Sequence, residues 1–111
     1  NYAADEHVGE WLVYYPNDSL KQKGTYLNGK ETGKWEFYSA TGIRTHTGEY
    51  KNGKKEGKWL FYYDGGQLKV DLTYINGMRE GVGTAYNEAG EEVEKAEYKN
   101  DAKVRDLPVG N

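Results

Sequence analysis

The chain has no cysteine and only two histidines, His7 and His46, among its 111 residues. Without cysteine there is no disulfide, no thiolate metal site and no thiol nucleophile. The redox compartment stays open, because absence of cysteine is compatible with any of them. The two histidines lie far apart in sequence, and no His-x-x-x-His pair, nucleophile elbow or Gly-x-Gly-x-x-Gly loop occurs. Neither metal binding nor acid–base catalysis is therefore expected, and no cofactor. Nor is there an apolar run near the roughly 18–20 residues that a spanning helix requires. Basic residues are not in excess: 15 against 18 acidic, a net charge of −3. A nucleic-acid binder would normally show a basic stripe, so none is expected here. Aliphatic residues are scarce too, with hydrophobic content at 36% and charged content at 30%. That excludes a layered globule with a thick aliphatic core.

Aromatic residues are abundant, at 14%, and they are placed periodically. All eleven tyrosines fall on three columns of a ladder with a 24-residue step. Tyr2, Tyr26, Tyr50, Tyr74 and Tyr98 make the first column. Tyr14, Tyr38, Tyr62 and Tyr86 make the second. Tyr15 and Tyr63 share the third with Ser39 and Asn87. Gly9, Gly33, Gly57 and Gly81 keep the same step, as do Trp11, Trp35 and Trp59. A chain with this self-similarity is a tandem array, in which each unit buries its apolar face against its neighbours.

The third unit shows the local structure best. Gly57-Lys58-Trp59-Leu60-Phe61-Tyr62-Tyr63 is followed by a turn, then by Gln67-Leu68-Lys69-Val70-Asp71-Leu72-Thr73-Tyr74. Both halves alternate and are rich in aromatic and β-branched residues, which is the strand signal. Each unit is thus expected to be a β-hairpin. Asn28-Gly29, Asn52-Gly53 and Asn76-Gly77 join the units as type I′ turns, in which both central residues take positive φ. Within units the loop closes on Gly42, Gly66 or Gly90, with Asp18 in the first, and this predicts a left-handed residue and a bulge. The expected fold is all-β: a single-layer antiparallel meander of about eight strands, elongated and twisted, roughly 35–40 Å wide at ~4.8 Å per strand.

Register follows from the Asn-Gly turns. Tyr26 is placed opposite Glu31, Gly24 opposite Gly33 and Gln22 opposite Trp35. Likewise Gly48 is placed opposite Gly57 and His46 opposite Trp59. One face then gathers Trp11, Trp35, Trp59, Phe37, Phe61, Tyr26, Tyr50 and Tyr74 as the repeat core, with an indole lying flat on glycine backbone. The other face is polar, with Lys23, Glu36, Asp71 and Thr73, and the column Tyr14, Tyr38, Tyr62 and Tyr86 runs through it.

The units divide as 9–32, 33–56, 57–80 and 81–104, with a partial repeat at 1–8 and a tail at 105–111. The fourth unit decays: Gly83 stands at the Trp position, Ala85 at the Phe position and Asp101 at the turn glycine. Terminal repeats facing solvent lose buried residues in this way, so 81–104 is read as a cap. The first residue is Asn1 rather than Met, and Tyr2 already occupies a column. Loss of upstream residues is expected, either by removal of a secretory signal or by trimming at an arbitrary boundary.

The segments Gly33–Tyr38 and Gly57–Tyr62 (G-K-W-x-F-Y), with Tyr26–Gly33 and Tyr50–Gly57 (Y-x-N-G-K-x-x-G), resemble the MORN-repeat-variant family of bacteria. The resemblance spans residues 9–101. It implies β-hairpin arrays in one elongated, twisted sheet. Some relatives of this kind are described as antitoxins of toxin–antitoxin pairs, and others as exported or lipid-anchored proteins. The broader class is credited with protein scaffolding and with phospholipid contact. No catalytic residue carries over.

Each aromatic column has two readings. The tryptophans are either a stacking platform for sugar or peptide, or the shared core of the array, where each ring buries about 150–250 Å². Tyr14, Tyr38, Tyr62 and Tyr86 are either cross-strand partners of lysine stems or a candidate interaction surface, since tyrosine is enriched at interfaces. Lys51, Lys54 and Lys55, and Lys95, Lys99 and Lys103, either protect strand edges or meet acidic lipid and protein. The functional expectation is a non-enzymatic protein-interaction or scaffold module, antitoxin-like in its most specific form. The alternative is an envelope-associated structural or lipid-contacting protein. Compartment and oligomeric state are open.

Overall fold

The computed structural model describes residues 8–110. Readings that fall on Tyr2, on His7 and on most of the partial repeat at 1–8 lie outside them. Ten strands form one open antiparallel sheet: β1 (Val8–Tyr14), β2 (Leu20–Leu27), β3 (Lys30–Tyr38), β4 (Arg44–Lys51), β5 (Lys54–Tyr62), β6 (Leu68–Ile75), β7 (Met78–Arg79), β8 (Gly81–Tyr86), β9 (Glu92–Lys99) and β10 (Ala102–Asp106). Sheet order follows chain order, with β7 and β8 both pairing β6. The slab measures 51 × 35 × 15 Å, so it is one layer thick. Two strands exceed the expected eight. A bulge splits β7 from β8, and β10 carries strand pairing to Asp106, into the segment read as tail.

Turn chemistry sets both ends of every hairpin. Asn28, Asn52 and Asn76 take φ of 52–54°, and the following glycines φ of 80–83°, as a type I′ turn requires. Two of these turns also bond sideways to the preceding hairpin. The Gly53 N–H donates to the Glu31 carbonyl at 3.0 Å and the Gly77 N–H to Lys55 at 2.9 Å. At the opposite end Asp18, Gly42, Gly66 and Gly90 are left-handed, and a bulge precedes each loop at Tyr14, Tyr38, Tyr62 and Tyr86.

The register differs from the sequence reading midway along the strands. Tyr26 faces Glu31, but Gln22 faces Phe37 rather than Trp35, and His46 faces Phe61 rather than Trp59. The cause is Gly33 and Gly57, whose φ of 67° and 77° forms bulges that insert two residues into β3 and β5. An insertion of two preserves face alternation, so the aromatic side chains stay on one side. It also moves each indole from beside a glycine to on top of one. A Cβ at Gly24 would overlap the Trp35 ring, and one at Gly48 would overlap Trp59.

This placement lets a one-layer sheet have a core. Trp35 and Trp59 are each 1% exposed. Tyr26 and Tyr50 stand edge-on against Trp35 at 5.3 and 5.9 Å, and Tyr50 and Tyr74 against Trp59 at 5.1 and 6.4 Å. Glycine backbone is the floor, and tyrosine edges are the walls.

Candidate functional site

The aromatic face carries two parallel stripes. The first is the Trp–Tyr ladder, which extends to Trp11 through Tyr26 at 5.2 Å. The second stacks Phe37, His46 and Phe61, with centroids 4.2 and 5.5 Å apart and nearly parallel planes. His46 therefore sits in an aromatic sandwich, a role the sequence reading did not assign. Burial is the main cause holding its pKa below the ordinary imidazole value, with Lys55 adding to it. The Lys55 ammonium lies 5.0 Å over Trp59 and 5.1 Å over Tyr74, and the Arg79 guanidinium 4.7 Å over Tyr98. Burial likewise raises the phenols of Tyr50 and Tyr74. No buried side-chain N or O among the described residues lacks a partner.

Of the eight residues assigned to the repeat core, Trp35 and Trp59 are buried, and Phe37, Phe61, Tyr26, Tyr50 and Tyr74 are half-buried against them. Trp11 departs from the expectation: it is 47% exposed. It lies on β1, the outermost described strand, so no described strand supplies the glycine floor that Trp35 and Trp59 rest on.

The opposite face holds Tyr14, Tyr38, Tyr62 and Tyr86. Tyr14 is 54% exposed, and the other three are half-buried. Consecutive members lie two strands apart, about 9–10 Å, so they form a spaced row rather than a stack. Charged partners order the middle of the row. The Tyr38 hydroxyl donates to Glu36 at 3.0 Å, Arg44 reaches Glu36 at 3.8 Å, and the Arg44 guanidinium lies 5.0 Å over the Tyr62 ring. Burial first, then the Glu36 bond and charge, raises the Tyr38 pKa. A shallow groove of about 390 Å³ runs beside Tyr62, bordered by Lys34, Glu36, Arg44 and Lys58. Leu12, Tyr14, Ile75 and Val82 add exposed apolar surface to this face.

The third tyrosine column has a definite task. The Tyr15 hydroxyl donates to the Tyr38 carbonyl at 2.8 Å, and Tyr63 to the Tyr86 carbonyl at 2.7 Å. Asn17 and Gln67 add side-chain bonds to Ala40 and Glu88 at the same seams. Hairpins one and two, and three and four, are thus stapled at their loop ends, directly beneath the Tyr38 and Tyr86 positions. The sequence signal was the alternation of Tyr15 and Tyr63 with Ser39 and Asn87. Arg44 carried no comparable signal.

Among the described residues no group of three His, Asp or Glu side chains could hold a metal ion. Among the described residues no helix is long and apolar enough to cross a membrane.

No curated protein matches the chain. One structural neighbour is a chain of accessory secretory protein 1, 2 and 3 in Streptococcus pneumoniae, at 15% identity and a TM-score of 0.48. The alignment covers 81% of this chain but 17% of that one, so this chain spans a small part of that protein. MORN repeats are generally protein- or membrane-interaction modules. Residues 8–28 and 55–76, the β1–β2 and β5–β6 hairpins, match the MORN repeat variant.

Proposed function

We propose that this protein is a non-catalytic interaction module whose binding surface is the face bearing Tyr14, Tyr38, Tyr62 and Tyr86. The observation that carries the reading is the division of labour between the two faces. One buries Trp35 and Trp59 beneath tyrosine edges. The other presents a row of partly exposed tyrosines set among Glu36, Arg44 and exposed aliphatic residues. Rigid aromatic rings with charged neighbours are typical of the energetically dominant part of protein interfaces. The staples from Tyr15 and Tyr63 fix the backbone under the row, which lowers the ordering cost of binding. An antitoxin role, with a toxin as the partner, is the most specific form that the family resemblance suggests.

The test is affinity capture of a stoichiometric protein from native cells, comparing wild type with Tyr38→Ala/Tyr62→Ala. Loss of that protein with the fold intact supports the reading. Unchanged capture by the double variant rules out this face. A second reading, lipid contact, draws on Lys51, Lys54 and Lys55 clustered at one turn rim. Co-sedimentation with anionic vesicles, reversed by Lys54→Glu/Lys55→Glu, would put it first.

A further inference from the structure

We infer that the hollow beside the Asn76-Gly77 turn binds a carboxylate side chain of an acidic partner protein, received by Lys55 and Lys54. The hollow lies on the aromatic face, so it is separate from the tyrosine row and does not rest on the reading above.

The array builds one such contact for itself. Glu31, Lys55 and Arg79 hold the same place in three successive units, and each meets the next turn: Asn52-Gly53, Asn76-Gly77 or Asn100-Asp101. The backbone contact is the same in all three. Gly53 N–H donates to the Glu31 carbonyl at 3.0 Å, Gly77 N–H to Lys55 at 2.9 Å and Asp101 N–H to Arg79 at 3.0 Å. Only the side chains differ. At the last turn Asp101 stands where the others have glycine, and it takes φ of 71°, a conformation aspartate tolerates. Its carboxylate accepts from Arg79 Nε at 2.9 Å and from the Arg79 backbone N–H at 3.2 Å. At the first turn the residue in the cation's place is itself acidic, Glu31. The middle turn combines a cation, Lys55, with Gly77, which has no carboxylate to offer it.

Lys55 is also held in place to receive one. Its ammonium lies 5.0 Å over the Trp59 ring and 5.1 Å over Tyr74, and such cation–π contacts fix a charge without neutralising it. Neither Lys54 nor Lys55 forms an ion pair with a carboxylate among the described residues. The carboxylates nearby are engaged elsewhere. Glu56 accepts from the Asn76 backbone N–H at 3.1 Å. The Arg79 side chain and then its backbone hold the Asp101 carboxyl below its ordinary value, and Lys55 contributes least. A hollow of about 570 Å³ opens here, lined by Tyr50, Lys54, Lys55, Leu72, Tyr74 and Gly77 and reaching to the Arg79–Asp101 pair. A Cβ added at Gly77 would meet only the Lys54 stem, at 3.6 Å, so there is room for a side chain in this place.

The Asp101 contact sets the chemistry of the ligand. It is the carboxylate of a side chain presented from a turn, meeting a cation that rests on a tyrosine ring. An aspartate or glutamate on a partner repeats that arrangement at Lys55, with Lys54 as a second cation where the Arg79 unit has Met78. A charged membrane surface would engage Lys51, Lys54 and Lys55 alike. A carboxylate beside Gly77 needs Lys55 and leaves Lys51 unused, because Lys51 does not border the hollow.

The probe is an end-capped hexa-aspartate peptide, titrated into the full chain while backbone amide and indole N–H resonances are followed by NMR. Saturable shifts are expected at Lys55, Gly77 and the Trp59 indole, with a Kd between about 0.1 and 10 mM. Gly77→Asp copies the Asn100-Asp101 turn and supplies the carboxylate from within the chain. It should fold and lose at least about tenfold in peptide affinity. Gly77→Asn asks the same of the backbone without the charge and should keep the affinity. Lys55→Gln should lose it, and Lys51→Gln should not. Undiminished binding by Gly77→Asp or by Lys55→Gln overturns the inference, as does the absence of shifts at about 20 mM peptide. Shifts of equal size at Lys95, Lys99 and Lys103 would show diffuse charge attraction and overturn it. Inorganic phosphate or phosphatidylglycerol vesicles acting on Lys55 and Gly77 more strongly than the peptide would assign the hollow to a phosphate and overturn it too. Loss of the shifts in Tyr38→Ala/Tyr62→Ala would place the peptide on the opposite face, whereas their persistence there keeps this site distinct from the tyrosine row.

Discussion

Trp59 and Gly83 occupy the same rung of consecutive hairpins, yet the space around them is filled from opposite strands. At the second seam, Gly48 is the floor and Trp59 lies on it. At the third, Leu72 stands in the glycine column and Gly83 in the tryptophan column. A Cβ at Gly83 would crowd the Leu72 side chain, so large and small have exchanged places. Ala96, next in the glycine column, is 2% exposed, so the fourth unit keeps a buried floor without any indole. Part of the change in the fourth unit is thus an exchange of large for small at Leu72/Gly83.

The comparison breaks most severely if the indole is removed or the floor is raised. Trp59→Ala is expected to cost about 3–5 kcal/mol, a large share of the roughly 5–15 kcal/mol typical of a domain. Gly48→Leu alone should cost about 3 kcal/mol or more by overpacking. The pair Gly48→Leu/Trp59→Gly copies the third seam into the second. It should be more stable than the sum of its single variants by at least about 1 kcal/mol. Urea titration of the four proteins measures this, and strict additivity would show that the swap at Leu72/Gly83 is incidental. Trp11→Ala supplies the contrast: with its ring half in water, it should cost well under half of what Trp59→Ala does.

Stapled and unstapled seams form a second, smaller contrast. Tyr15→Phe and Tyr63→Phe each remove a hydroxyl bond to a neighbouring hairpin's carbonyl, an expected loss of about 0.5–1.5 kcal/mol. Tyr14→Phe, one residue away and exposed, should be neutral within about 0.5 kcal/mol. Equal effects at Tyr14 and Tyr15 would dissolve the distinction between the two columns.

Most of the architecture was legible because the repeat reports it many times over. Asn-Gly fixes turn type and local register, alternation fixes the face, and the 24-residue step fixes which aromatics share a column. The two-residue offset at Gly33 and Gly57 was not legible. A glycine in a strand is compatible with pairing and with a bulge, and only the overlap of Gly24 with the Trp35 ring decides between them. The same offset hid the partner of His46. The tyrosine row was found from its period. Its ordering by Arg44 was missed, because a cation over a ring depends on side-chain reach across strands, which spacing does not encode.

His46 gives the mildest test, and its sign is fixed. Its imidazole lies between Phe37 and Phe61, with Thr45 Oγ1 at 3.0 Å from Nδ1 and Lys55 nearby. Burial, then the lysine charge, lowers its folded pKa. In the unfolded chain it titrates near the usual value of about 6.5. Below that pH the unfolded state takes up a proton that the folded state resists, so stability falls as pH drops. The fall stops once the folded pKa is passed, and above about 6.5 the contribution is flat. Urea midpoints should therefore decline as pH falls below about 6.5. His46→Phe keeps a ring in the stack and removes the titration, so it should flatten the part of the decline that belongs to this residue. An identical pH profile in His46→Phe would mean that the imidazole is free to protonate in place, and that the sandwich does not set its charge.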